Sequence, residues 1–285
     1  MESDRAQLPL QMGRPLEERW VIAGGTPVFV RFAEPAHDAP AILHLHGFAI
    51  SGRYMVPTAQ LLAASTRTYV PDLPGFGRSP RLGREVSIDD LADAVASILD
   101  AVNVDRATIL GNSLGCAVLA SFAHRHRDRL DRAVMVSPAG GPHSQPLVRA
   151  VAQLTADAPR EPLSMASVAV PDYLHFGMVE ALRLFTAMTR FDAVSALMSM
   201  DVPLLAVLGT RDPLLPPVVR VRQVADELAG TTTVAVINGA AHAINFSHPR
   251  ELAGIVSDFV GGRTVQPRPS VDGTAPVGII RPRKE

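Results

Sequence analysis

Ser113, Asp212 and His242 are the residues of this 285-residue chain whose types and settings could do chemistry together. Ser113 is the centre of Gly111-Asn112-Ser113-Leu114-Gly115, a G-x-S-x-G pattern. An apolar run precedes it and a stretch of small residues with helical character follows. That is the setting in which a sharp strand-to-helix turn presents a serine hydroxyl. A hydroxyl is a poor nucleophile unaided and needs a base, and the base needs something to hold it. His242 in Gly239-Ala240-Ala241-His242-Ala243 and Asp212 in Gly209-Thr210-Arg211-Asp212-Pro213 each follow an apolar run of their own. Taken singly, each has a duller reading: a helix N-cap serine, a turn-forming aspartate, a loop histidine. Taken jointly, hydroxyl, imidazole and carboxylate in the order Ser, Asp, His suit nucleophilic attack on an acyl carbon.

The elements that must position these three are legible as alternation. Short apolar runs at 41–45, 68–70, 108–110, 133–136, 204–208 and 234–237 each end in turn residues, and helical patterns lie between them at 56–64, 88–102, 114–126, 218–229 and 249–260. The clearest helix is 88–102, where Ile88, Leu91, Val95, Ile98, Leu99 and Val102 recur at a 3.6-residue period behind the start signal Ser87-x-x-Asp90. Alternating strands and helices imply an α/β fold with a mostly parallel sheet and helices on both faces. In such a sheet the carboxyl ends of all parallel strands share one edge, where ligand crevices open. Residues 20–23 and 28–32 flank Gly24-Gly25-Thr26-Pro27 and predict a hairpin with a four-residue loop.

The rhythm breaks over 141–200. That segment has no strand pattern, and five of the nine methionines lie in it. It predicts a helical cap inserted between two strands, with Met165 and Met188 as candidate pocket lining or, equally, as core filler. The core is then 16–140 with 201–261. Residues 1–15 are expected to be flexible, and the Pro-, Arg- and Gly-rich stretch 262–285 to be a disordered tail.

Composition narrows the function classes. Lys+Arg 27 against Asp+Glu 28 leaves a formal charge of -1, which steers the chain toward neither nucleic acid nor an acidic membrane. One cysteine, Cys116, excludes a disulfide framework. His44 and His46 alternate on one strand without an evident third ligand, so no metal and no cofactor are expected. The start Met1-Glu2-Ser3-Asp4-Arg5 lacks an apolar signal region, so the expected location is cytoplasmic, as a monomer or homodimer acting on a small molecule.

With these pieces in place the chain resembles the α/β-hydrolase fold superfamily, in its serine-nucleophile branch. The resemblance rests on His46-Gly47-Phe48, on Asp72-Leu73-Pro74-Gly75-Phe76-Gly77-Arg78-Ser79, on the G-x-S-x-G segment, and on the Asp212 and His242 segments, in the family's order over about 20–260. It implies Ser113 as nucleophile, His242 as general base and acid, and Asp212 as the residue that orients the imidazole. It also implies an oxyanion hole from the backbone N–H groups of Leu114 and Phe48, with Ala49 as the alternative to Phe48. His46 is expected to brace that loop and Asp72 to shape the loop beside it. His46, Ala49, Ser51, Arg53 and Asn112 are further candidates for the substrate pocket. The implied reaction is hydrolysis of an ester, thioester or lactone of a medium-sized hydrophobic molecule. Asn112 before the serine resembles the C–C bond hydrolases of vinylogous diketones, the second reading. A lyase or ligand-sensing receptor on the same fold is the third.

Overall fold

The computed structural model describes residues 13–35, 38–141, 144–191, 202–227, 232–270 and 273–280. Nine strands form one sheet in the order β1-β2-β4-β3-β5-β6-β7-β8-β9. The strands are β1 (Glu17–Ala23), β2 (Thr26–Ala33), β3 (Ala41–Leu45), β4 (Arg67–Pro71), β5 (Ala107–Asn112), β6 (Leu130–Val136), β7 (Leu204–Gly209), β8 (Thr232–Ile237) and β9 (Val277–Ile280). From β4 through β3, β5, β6 and β7 to β8 every pairing is parallel, while β1, β2 and β9 join antiparallel at the two sides. After β3 the chain moves to one side to form β4, then returns across β3 to form β5. The order therefore reverses between β3 and β5, which is where crevices open in sheets of this kind.

The parallel strands are apolar on both faces because both faces are covered. Leu43 and Leu45 of β3 and Ile109 of β5 enter one cluster with helices α2 (Ile88–Ala101) and α3 (Leu114–Arg125). Ile42 and Leu110 enter the other, with α1 (Val56–Leu62) and the last helix, Pro249–Val260. Helix α2 opens on the expected capping box: Ser87 Oγ accepts the Asp90 N–H, and the Asp90 carboxylate accepts the Ser87 N–H.

Between β6 and β7 run α4 (Leu147–Asp157), α5 (Ala166–Phe176) and α6 (Met178–Arg190). Beyond β7 come α7 (Val218–Glu227), the short α8 (Ile244–Ser247) and α9 (Pro249–Val260). Met198 and Met200 lie outside the described residues, as does 1–12 of the expected flexible start. No helix of the described residues is long and apolar enough to cross a membrane.

Three expectations are corrected. The hairpin turn has two residues, not four: Ala23 pairs with Thr26, and Gly24 and Gly25 both take positive φ, 56° and 81°. That is the backbone demand of a tight hairpin turn matched to strand twist. Residues 13–15 are not loose, since the Arg14 N–H donates to Gln60 O at 2.8 Å. The stretch after 261 is not a free tail. Val277–Ile280 adds antiparallel to β8, Arg268 bridges back to Val277, and Val265 and Val277 are buried. Burying these two valines and pairing the exposed edge of β8 together favour order there.

Candidate active site

Ser113 stands between β5 and α3 with φ 55° and ψ −114°. This is a strained backbone for a residue with a Cβ, and it persists because the surroundings over-determine it. The glycines two residues away on each side show how. A Cβ on Gly111 would stand 2.3 Å from the Gly115 carbonyl oxygen, and one on Gly115 would stand 2.2 Å from the Leu45 carbonyl oxygen of β3. Only glycine lets the helix return this close to the sheet. The Ser113 N–H donates to Val136 O at 3.2 Å, and Leu114 is the first residue of α3, where backbone N–H groups have no acceptor within the helix.

His242 and Asp212 meet across the loops that follow β8 and β7. The His242 Nδ1 to Asp212 Oδ2 distance is 2.8 Å, and Ser113, Asp212 and His242 are all buried. The Leu214 N–H donates to Asp212 Oδ1 at 2.8 Å, so both carboxylate oxygens are used. Burial works to raise the Asp212 pKa, but the His242 ring, the Leu214 N–H and Ser137 beside it prevail and hold the carboxyl below its ordinary range. For His242, burial works to lower the pKa, yet Asp212, joined by Asp157 and Glu161, brings it up to about 9.

Ser113 and His242 are tied together through Asn112. Its Nδ2 donates to Val136 O at 3.0 Å and to His242 O at 3.3 Å, and its Oδ1 accepts from the Tyr54 hydroxyl at 2.5 Å. Tyr54 in turn accepts the Gly47 N–H at 2.8 Å. One buried tyrosine thus joins the loop after β3 to the residue before the serine. A Cβ on Gly47 would stand 3.5 Å from Ser113 Cβ, so that loop lies directly against the serine.

His46 is fully buried and braces the loop. The Leu73 N–H donates to its Nε2 at 3.0 Å, which leaves Nδ1 as the donor to Gly47 O at 3.0 Å. Burial lowers its pKa and keeps it neutral, and Phe76 packs edge-on at 4.9 Å. Asp72 is likewise consumed. It pairs with Arg31 at 2.8 Å and accepts the N–H groups of Gly52 at 2.8 Å and Arg78 at 2.9 Å, stapling two loops. Cys116 is buried, its thiol pKa pushed up by burial, with Sγ 3.1 Å from Gly111 O.

The pocket candidates sit in different surroundings. His46 and Asn112 have their polar atoms bound within the protein. Ala49, at φ 54°, and Met188 are buried in the apolar cluster shared with α2 and α3. Met165 packs partly buried against the opposite cluster. Ser51 and Arg53 line a cleft of about 460 Å³ together with Glu18, Arg31, Asp72, Arg78, Asp172 and His175, and none of Ser113, Asp212 and His242 lines it.

Sequence reasoning missed the groups through which the inserted segment reaches the site. Asp157 Oδ1 accepts the His242 N–H at 3.3 Å, and Glu161 Oε1 accepts the Ala243 N–H at 2.6 Å. Asp172 Oδ2 accepts both the N–H and the hydroxyl of Ser51, at 2.7 and 2.6 Å. Gln153 Nε2 donates to Pro213 O at 3.1 Å. The Phe48 ring packs 5.9 Å from Phe176 and 5.0 Å from Phe185. Acidic residues at the end of an amphipathic helix read locally as a solvated face, and only tertiary contact marks them out.

The comparisons with known proteins agree with this fold. A model of the alpha/beta hydrolase fold matches residues 40–173. The chain is 28% identical to a pimeloyl-[acyl-carrier protein] methyl ester esterase of Aeromonas hydrophila, over 79% of this chain and 96% of that one. It is 27% identical to a putative carbamate hydrolase of Rhizobium rhizogenes, over 80% of this chain and 95% of that one. Among solved structures, the enol-lactonase of Burkholderia xenovorans LB400 superposes with a TM-score of 0.69 at 24% identity, covering 85% of this chain and all of that one. These relatives are hydrolases by name. Sheet order, serine turn and relatives converge on one conclusion: the chain has the α/β-hydrolase fold.

Proposed function

We propose that the protein is a serine hydrolase that cleaves an acyl bond, an ester, thioester or lactone, of a medium-sized hydrophobic molecule. The observation that carries this reading is the buried Asp212–His242 pair, 2.8 Å apart, on the same sheet edge as a serine held at positive φ.

In this reading Ser113 Oγ attacks the acyl carbon while His242 Nε2 takes the hydroxyl proton. Asp212 fixes the ring by accepting from Nδ1, so that Nε2 is the free base, and it stabilises the imidazolium that forms. The backbone N–H groups of Leu114 and Phe48 donate to the oxyanion; such donors are worth roughly 10²–10³ in rate each. Collapse expels the leaving group, which takes the proton from His242. Water, deprotonated by the same imidazole, then releases the acid and regenerates Ser113. The inserted helices serve as the cap that excludes bulk water, and phenylalanines 48, 176 and 185 give the acyl side its apolar character.

The test is initial-rate hydrolysis of p-nitrophenyl esters of graded chain length. Ser113→Ala is expected to lose on the order of 10⁶ in kcat and Asp212→Asn about 10⁴, both with folding intact. Turnover by Ser113→Ala within tenfold of wild type overturns the assignment.

A further inference from the structure

We propose that Asp157 and Glu161 are positioning residues for His242, holding the backbone of the histidine loop from the inserted segment so that the imidazole is poised only while that segment is seated. The proposal rests on the reading of His242 as the base.

The geometry is specific. Backbone N–H groups of a loop beside a parallel sheet are ordinarily met by the core or by solvent. Here two successive ones, of His242 and Ala243, are met by carboxylates from outside the core, Asp157 at the last turn of α4 and Glu161 four residues on. Asp157 is buried, and Glu161 Oε2 is shut off from solvent, with the Asp157 carboxyl as its neighbour. Helix α4 is anchored nearby by Gln153 on Pro213, next to Asp212. The same short stretch of chain thus touches both loops that deliver the His–Asp pair. If the segment lifts, the histidine loop loses two anchors at once.

The arrangement also sets charge. Among the described residues, the ionisable groups facing His242 are Asp212 from the loop after β7, and Asp157 and Glu161 from the inserted segment; Tyr173 of α5 faces Asp157 in turn. Burial raises the pKa of Asp157, and it raises that of Glu161 to about 7 with Asp157 as a further cause. Near neutrality the two carboxyls therefore do not both ionise freely. Each negative charge they do carry favours the imidazolium over the neutral base.

The experiment compares Asp157→Ala, Glu161→Ala, Asp157→Asn and Glu161→Gln. Each is assayed for kcat, KM and the pH midpoint of kcat/KM, and His242 is titrated by NMR in a Ser113→Ala background. The amide variants keep an oxygen that can accept the backbone N–H and remove the charge, at the cost of turning the second oxygen into an NH2 donor. Alanine variants are expected to lose roughly 10- to 100-fold in kcat, the scale set by small misplacements of a reacting group, with KM changed less than about threefold. The amides are expected to recover most of that loss and to shift the pH midpoint, and the NMR titration with it, downward by about half a unit or more. Alanine variants with wild-type kcat and an unmoved midpoint, beside an inactive Ser113→Ala, overturn the proposal while leaving the hydrolase reading intact. An active Ser113→Ala overturns the hydrolase reading itself; an unmoved His242 titration in Glu161→Gln then overturns the coupling as well. Should an alanine variant fail to fold, the near-isosteric Glu161→Gln decides by its midpoint and titration alone.

Discussion

His242 faces carboxyl groups from two directions, and its basicity is the resultant. With the pKa at about 9, the resting imidazole is largely protonated at neutral pH, and a protonated ring cannot take the serine proton. The kcat/KM profile is therefore expected to rise through pH 7 and 8, with its acidic-limb midpoint well above the ordinary 6.5; stopped-flow or initial rates between pH 6 and 10 check this. Stability moves the other way. His242 and Glu161 both bind protons more tightly folded than unfolded. Their contributions are complete below pH 6.5 and 4.5 respectively, and are lost as pH rises through about 9 and about 7. Asp212, with its pKa lowered, contributes in the opposite sense and loses its share only in acid. Glu161→Gln removes one of the raised groups. Its melting temperature at pH 8 is expected to exceed wild type by roughly 1–2 °C, the shift that about 1 kcal/mol produces at this size. Tyr54→Phe tests the neighbouring contact. It strips the Gly47 N–H and Asn112 Oδ1 of their buried partner and is expected to cost about 1–3 kcal/mol, read by urea denaturation.

The turn around Ser113 is where one element constrains another most tightly. Gly115→Ala places a methyl 2.2 Å from a β3 carbonyl oxygen, a backbone atom that cannot swing aside. The helix must shift away from the sheet, and a loss of about 1–3 kcal/mol with a fall in activity is expected; thermal denaturation and ester turnover read the two effects. The G-x-S-x-G pattern expresses this close approach directly, which is why both the turn and its serine were legible from residue order alone. So were β3 and α9, whose bounds match the apolar run 41–45 and the periodic stretch 249–260. The hairpin loop was read two residues too long because Thr26 and Pro27 resemble turn residues, whereas pairing across to Ala23 and Ile22 makes them strand. β9 escaped notice because Pro, Arg and Gly dominate its neighbourhood, and the β8 edge that orders it is forty residues away. Asp157 and Glu161 escaped for a related reason. What distinguishes them is burial by a loop some eighty residues downstream, and nothing in their own surroundings encodes it.

At the scale of the molecule, the sheet delivers three loops to one edge and the inserted helices fasten onto each of them, through Asp172 to Ser51, Gln153 to Pro213, and Asp157 and Glu161 to the histidine loop. At the far side the sheet is finished by β9. Removing residues 265–285 is expected to uncover the β8 edge and the apolar surface under Val265 and Val277, lowering the melting temperature and promoting association, as thermal scans and light scattering would report. The serine turn has a different significance. Backbone pressed against backbone fixes it, with the side chain at position 113 taking no part in the constraint. The scaffold is in that sense indifferent to which small polar atom it displays: Ser113→Cys is expected to leave the turn and the melting temperature unchanged, so this position is a socket whose occupant can be exchanged without rebuilding the protein around it.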